Sequence, residues 1–403
     1  MTEWQSARLG DLCKIDIGKT PSRGVSRYWD KGRETDNVWL SIADLTQSQG
    51  SQIYDSKEYV SDEAARSLKP VKAGTLLMSF KLSIGKMAVA GRDLFTNEAI
   101  AALTILNSNS MSREYLQYFL SGYDWEAATA GDHKVKGKTL NKAKLKELII
   151  SFPPLPEQQR IVGILDQAFE GIAKAKANAE QNLANARSIF QTHLNDSFSE
   201  SLRLSDPMTV DQICDVRGGK RVPKGYKFEA EPTDYRYATV TSFSMTGSIN
   251  IDKTNYISSD VFDSLKRYEI KSGELYISIA GTIGRSGIFP ENAGRCILTE
   301  NACRMILKPN VDGKYIYLYM QSKHFMDQVA ESTRTAAQPK LALERLKSIL
   351  IPAEPIEKQI VMADSLFELM DTAAQLEDTY NRKTQALDEL KSSILHQAFN
   401  GKL

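Results

Sequence analysis

The sequence predicts an α+β fold: two pseudo-symmetric α/β domains separated by two long helices that pack as an antiparallel coiled coil. Three observations carry this. Short motifs recur in the same order after roughly 200 residues. The first part of each copy holds short β-prone runs bounded by glycine or polar residues. Each copy then closes on a long amphipathic stretch with no interior proline.

The recurrence is the firmest of the three. Leu12-Cys13-Lys14-Ile15-Asp16-Ile17-Gly18-Lys19 is answered by Ile213-Cys214-Asp215-Val216-Arg217-Gly218-Gly219-Lys220, an offset of 201. Gly74-Thr75-Leu76-Leu77-Met78-Ser79, leading to Ile84-Gly85-Lys86, is answered by Gly273-Glu274-Leu275-Tyr276-Ile277-Ser278 and Ile283-Gly284-Arg285, an offset of 199. Phe95-Thr96-Asn97-Glu98-Ala99 matches Leu298-Thr299-Glu300-Asn301-Ala302 at 203, and Pro156-Glu157-Gln158-Gln159-Arg160-Ile161-Val162 matches Pro355-Ile356-Glu357-Lys358-Gln359-Ile360-Val361 at 199. One such match is weak; four in order at a nearly constant offset imply duplication. Cys13 and Cys214 then read as equivalent buried apolar positions.

Within the copies, strands are expected at 38–42, 75–80 and 275–280. Helices are expected at 112–121 and 141–148, the latter capped by Asn141, with counterparts at 314–322 and 341–350. Pro153, Pro154 and Pro156 punctuate the start of the first long helix, and Pro352 and Pro355 that of the second. Its expected seam is Ile161, Leu165, Ala168, Ile172, Ala175, Ala179, Leu183, Ala186, Phe190 and Leu194. That of the second is Ile360, Ala363, Phe367, Met370, Ala374, Tyr380, Leu387, Leu390, Ile394 and Ala398, broken near Glu377 and Lys383. About 40 residues make a rod of roughly 60 Å. A domain of ~150 residues is too small to cover such a stripe, so the rods cover each other. A chain that runs rod, globule, rod returns along its own path, hence antiparallel. The resulting division is a first domain at 1–152, a first rod at 153–200, a second domain at 201–351 and a second rod at 352–403.

Composition excludes several classes. The chain is 42% hydrophobic and 25% charged over 403 residues, ordinary for two to four globular domains. No run approaches the roughly 20 apolar residues of a membrane span, and Met1-Thr2-Glu3-Trp4 does not resemble a signal peptide. A cytoplasmic protein without membrane contact is expected. Four scattered cysteines and four scattered histidines argue against a disulfide framework and against a metal site. Catalytic motifs are missing too. Phe152-Pro153-Pro154-Leu155 is not an amino-methyltransferase motif, and Gly281-Thr282-Ile283-Gly284-Arg285-Ser286-Gly287 lacks the Gly-Lys-Ser/Thr ending of a P-loop and reads as a turn between strands. Asp55-Ser56-Lys57 and Glu389-Leu390-Lys391 fit an acid-x-lysine nuclease triplet that arises readily by chance. No catalytic residue is assigned.

The net charge of +1 counts against a stand-alone tight DNA binder, but permits DNA contact where basic residues concentrate or partner subunits hold phosphates. Concentrations exist. Gly131 to Lys146 carries six lysines and one aspartate; His133, Lys134, Lys136 and Lys138 fall in its glycine-flanked loop. Arg334, Gln338 and Lys340 occupy the matching segment of the second copy. A further cluster is Lys19, Thr20, Ser22, Arg23 and Arg27, answered by Lys220, Arg221 and Lys224, with Tyr28 and Trp29 packing beneath the loop. Lys81, Lys86 and Arg285 fit either a structural or a DNA-contacting role.

Taken together, Gly-Lys-Thr-Pro-Ser-Arg with Tyr-Trp, the Ser-Ile-Gly-Lys turn, Phe-Pro-Pro-Leu-Pro-Glu-Gln-Gln-Arg-Ile-Val and the ending Ser393-Ile394-Leu395-His396-Gln397-Ala398-Phe399-Asn400-Gly401-Lys402-Leu403 resemble the specificity subunits of type I restriction–modification systems. The resemblance spans essentially the whole chain. The second copy departs from it in Pro-Ala-Glu-Pro-Ile-Glu-Lys-Gln and lacks Thr-Pro-Ser-Arg after Gly219-Lys220. What it implies is two target-recognition domains, each reading one half of a bipartite, asymmetric double-stranded DNA site, with the rods setting the gap. It also implies docking of two adenine methyltransferase subunits and of motor-nuclease subunits. S-adenosylmethionine, ATP and Mg would belong to those partners, and this chain would hold no cofactor. Two rivals remain open: a chain that itself methylates or cuts DNA, and a scaffold whose globular parts never touch it.

Overall fold

The computed structural model describes residues 4–129, 133–134, 137–138, 140–244, 247–333 and 339–403, with backbone alone at 133–134 and 137–138. The chain divides into two compact units, Met1–Asn178 with Lys383–Leu403, and Ala179–Arg382. Among the described residues, no helix is long and apolar enough to cross a membrane.

The first unit is built on a five-stranded sheet in the order Cys13–Ile17, Ile100–Ile105, Leu76–Ser79, Met87–Ala90, Gln52–Ile53. Side chains alternate across a strand, and here both faces are buried. Leu76 and Met78 face a core completed by Tyr115, Leu116 and Leu120 of the helix Arg113–Ser121 and by Ile161 and Leu165 of the first rod. Leu77 faces the opposite way, with Ala88, Ala90 and Ala102, onto Val38, Leu40 and Leu45. A near-continuous apolar run is what a strand covered on both sides requires. The expected strand at 38–42 stops at Leu40, because Ser41 and Asp44 form a capping box that starts the helix Ile42–Ser48.

The second unit repeats the plan with a four-stranded sheet, Cys214–Gly218, Ala302–Leu307, Leu275–Ser278, Ser286–Ile288. Leu275 and Ile277 join the core with Tyr315 and Tyr319 of the helix Gly313–Gln321, while Tyr276 packs on the other face with Phe243 and Phe289. Each unit also has a second sheet built around a parallel pair, three-stranded around Val38–Leu40 with Phe95–Thr96 and four-stranded around Tyr235–Ala238 with Arg295–Leu298. Cys13 and Cys214 are both 1% exposed, as their equivalence predicts.

The rods are Leu155–Leu204, 50 residues, and Ile356–Phe399, 44 residues, both longer than the forty or so expected. Within the first unit, Arg160 Nη2 donates to the Leu403 carbonyl at 2.7 Å, Lys391 lies over the Phe169 ring and Lys176 pairs with Asp388 at 2.8 Å. Within the second, Arg187 pairs with Glu377 at 3.0 Å. One residue number falls as the other rises, so the pairing is antiparallel. These exposed ion pairs fix register more than they stabilise, each contributing under about 1 kcal/mol.

The second rod's seam differs from expectation. Ile360 and Leu390 are 44% and 46% exposed, and Ala374 also faces solvent; the buried positions are Ala363, Leu366, Ala373, Leu395 and Ala398. Glu377 and Thr384 sit half-buried on this line at heptad spacing, so the apparent break is polar residues occupying the seam. The repeat register also differs from expectation. Gln158 is fully buried: its amide oxygen accepts from the Ser112 N–H, which caps the helix Arg113–Ser121, and its amide nitrogen donates to the Ser110 and Pro153 carbonyls. Gln359 does the same for the Asp312 N–H and the Glu354 carbonyl. Gln158 therefore matches Gln359, an offset of 201 rather than 199, and Leu165 falls on Leu366.

Candidate nucleic-acid interface

Register decides which loops meet. In the first sheet Ile17 opposes Ala101, Ser79 opposes Ile100 and Met78 opposes Met87. The loop after Ile17, the loop from Ser79 to Met87 and the approach to Ile100 thus emerge at one end of the sheet. In the second sheet Gly218 opposes Cys303, Ser278 opposes Ala302 and Ile277 opposes Ser286, which gathers the corresponding loops. The basic segments join at the same place: the Leu140 N–H donates to the Phe80 carbonyl at 3.0 Å, the Leu341 N–H to the Ile279 carbonyl at 2.8 Å, and Lys340 bridges Ala280. Clusters far apart in sequence become neighbours.

The Gly-Lys loops leave their sheets by one device. A Cβ on Gly18 would lie 2.1 Å from the Thr96 carbonyl oxygen, and one on Gly219 2.2 Å from that of Thr299. The next amide, Lys19 or Lys220, donates to the Thr96 or Leu298 carbonyl at 2.9 Å. The indole of Trp39 and the hydroxyl of Tyr237 donate to the Lys19 and Lys220 carbonyls. An acid then ties the loop down. Thr20 donates to Glu98, and Arg221 donates to Glu300 at 2.6 Å. Burial would raise both carboxyls. The Thr20 hydroxyl, its own amide, Lys81 and Arg23 hold Glu98 below the usual range instead, and the Glu300 amide, Thr299 and Arg221 do the same for Glu300. These contacts match Glu98 to Glu300, an offset of 202, not 203.

Lys19, Ser22, Lys86, Lys220, Lys224 and Lys340 are exposed at or beside these sheet ends. Lys81 lies half-buried with its ammonium over Phe80. Arg23 is engaged within the fold: its guanidinium stacks over Trp29 at 4.0 Å and Trp39 at 4.9 Å and pairs with Glu58 at 3.0 Å. Trp29 packs edge-on to Trp39, and Arg27 pairs with Glu63 at 3.2 Å. Arg285 is turned inward, donating to the Phe243 carbonyl at 3.3 Å, whereas its counterpart Lys86 faces solvent. His133 and Lys134 pair with Gly137 and Lys138 in a short hairpin whose side chains lie outside the description. Lys136, Arg334 and Gln338 lie outside the described residues.

Glu98, Glu300, Gln158 and Gln359 were not among the residues singled out by sequence. Their only sequence signal is a one- or two-residue correction of the repeat register. Asp55, from the acid-x-lysine triplet, is held at about 2 by Arg33 and by the Tyr59 hydroxyl. Among the described residues, no three His, Cys, Asp or Glu side chains are grouped to hold a metal ion.

Known proteins resemble this chain in sequence and in fold. The chain is 21% identical over 333 residues to the EcoBI type I restriction enzyme specificity subunit of Escherichia coli, covering 76% of this chain and 69% of that one. It is 22% identical over 396 residues to the MjaIX specificity subunit of Methanocaldococcus jannaschii, covering 91% and 87%. Two solved folds are alike: a chain from a study of complex assembly and conformational transition of the type I R-M system, with TM-score 0.79, 17% identity and 99% and 98% coverage, and the HsdS subunit from Thermoanaerobacter tengcongensis, with TM-score 0.59, 16% identity and 99% and 97% coverage. The model of the type I restriction modification DNA specificity domain matches residues 1–182 and again 205–384. The chain belongs to that family and carries its domain twice.

Proposed function

We propose that each unit reads one half of a bipartite, asymmetric DNA site and that the paired rods set the gap between the halves. The observation that carries this is the duplicated gathering of Gly-Lys loop, Ser-to-Gly-Lys/Arg loop and basic segment at one end of each sheet. Lys19, Lys86, Lys220, Lys224 and Lys340 supply phosphate contacts, which position the protein, and shorter loop side chains supply base contacts. A near-neutral chain achieves this within a complex. Two adenine methyltransferase subunits clamp the duplex with their own S-adenosylmethionine, and motor-nuclease subunits use ATP and Mg, so this chain performs no catalysis.

The test is a rod-length series in the chain assembled with its methyltransferase subunits. Seven residues added to each rod, at positions facing each other, add about 10 Å, near three base pairs of rise. Mapping methylated adenines should show the same two half-sites at a wider gap. An unchanged gap refutes the ruler.

A further inference from the structure

The loop from Ser79 to Lys86 contains a residue that the fold does not account for. Leu82 adopts φ +63°, the left-handed region that side chains with a Cβ disfavour. It is 58% exposed and, among the described residues, joins no hydrophobic cluster. Of the described non-glycine residues at positive φ, the others are Arg33, Gln49 and Asn310, so Leu82 is the one apolar side chain in that conformation.

The second unit shows that the loop does not need it. There the equivalent position is Gly281, at φ +76°, a conformation glycine adopts without penalty. The two loops close identically. The buried Ser79 hydroxyl accepts from the Lys86 N–H at 3.0 Å, and Ser278 from the Arg285 N–H at 2.9 Å. The same serines donate to the Ser83 and Thr282 carbonyls, and the Gly85 and Gly284 amides donate to the Ser79 and Ser278 carbonyls at 2.9 and 3.0 Å. A leucine held in an unfavourable backbone state, pointing at solvent and replaceable by glycine, is explained by something outside the chain. Backbone strain of this kind gathers at functional positions.

We infer that Leu82 reads a base: its side chain contacts the 5-methyl group of a thymine in the major groove of the half-site served by the first unit. The inference rests on the DNA-reading function proposed above. Its surroundings fit. The exposed Lys86 closes the loop, so a cation stands beside the apolar tip where a phosphate would stand beside a base edge. The thymine methyl is the apolar group that the major groove offers. The loop is braced from behind, since a Cβ on Gly85 would lie 2.4 Å from the Trp125 indole nitrogen. The first unit would thus read with an apolar tip at a position where the second has none.

The full chain, assembled with its adenine methyltransferase subunits, is first used to select its site from a random-sequence duplex library. Leu82→Gly is expected to unfold at the same or a higher temperature than the parent, yet to bind the selected duplex about tenfold more weakly. Leu82→Met should keep most of the affinity. Replacing one dT by dU in the half read by the first unit should weaken the parent by a similar factor and leave Leu82→Gly unaffected. Equal binding by Leu82→Gly and the parent overturns the inference. So does indifference to dU at every thymine of that half, a lower unfolding temperature for Leu82→Gly, or loss of the methyltransferase subunits from that variant. A parent complex that selects no sequence at all refutes the DNA-reading function itself.

Discussion

The loops that follow Gly18-Lys19 and Gly219-Lys220 share a backbone and differ in nearly everything attached to it. Each starts with a glycine seated on carbonyl oxygens, each has its lysine amide bonded to the facing segment, and each ends its turn against an acid. Past that point they part. The first loop meets its acid with the Thr20 hydroxyl and then lays Arg23 over two tryptophans; the second meets its acid with the Arg221 guanidinium. Backbone and partly buried polar contacts hold the frame, and a frame so held lets exposed side chains change without unfolding it. Duplication of such a frame gives two readers whose chemistry can diverge independently.

Substitutions test how equal the frames are. The largest effect is expected from Gly18→Ala and Gly219→Ala, because the added methyl meets main-chain oxygens that cannot turn aside. Each should destabilise its unit by about 3 kcal/mol, read by thermal unfolding. Tolerance of either one would show that the frames are not equivalent. Next come Gln158→Leu and Gln359→Leu. The first strands an amide and two carbonyls, the second an amide and one carbonyl, so losses of about 3 and about 2 kcal/mol follow. A reversed order in urea unfolding would break the assignment of these glutamines as matched anchors.

The smallest effect concerns Glu98 and Glu300. Both carboxyls lie below their ordinary range in the folded chain, so their contribution is present above the unfolded value near 4.3 and is lost as pH falls through the folded value. Replacing both by glutamine should cost under about 1 kcal/mol at pH 7, since the partners are largely exposed. The gap between variant and parent should close in acid. A gap that instead widens below pH 4 would mean that the acids strain the loops rather than anchor them.

Much of this was legible in the sequence. Proline-free amphipathic stretches announced both rods, Asn141 caps its helix as its position implies, and Gly281 to Arg285 form a turn between the strands Leu275–Ser278 and Ser286–Ile288. The failures were ones of register. Pro355-Ile356-Glu357-Lys358-Gln359 aligns with the first copy on composition, but Gln359 is placed by a hydrogen bond to Asp312, 47 residues away, which no local pattern encodes. The seam of the second rod differs from the apolar spacing because polar Glu377 and Thr384 occupy it. The pairing of Arg23 with Glu58, 35 residues on, is likewise a contact that no local pattern encodes. Leu82 carried no signal at all, since strain is a property of the backbone and not of the residue alphabet.

The membership of the first unit sets an order of events during synthesis. Leu395 and Ala398 belong to the same core as Leu76 and Tyr115, and Phe399 packs edge-on to Tyr115. A nascent chain released from the ribosome as far as the second unit therefore still exposes an open apolar cleft in its amino-terminal part. Closure waits until translation has passed position 399, so the earliest residues to emerge are among the last to finish folding. Until then the cleft is transiently exposed apolar surface of the kind that favours aggregation.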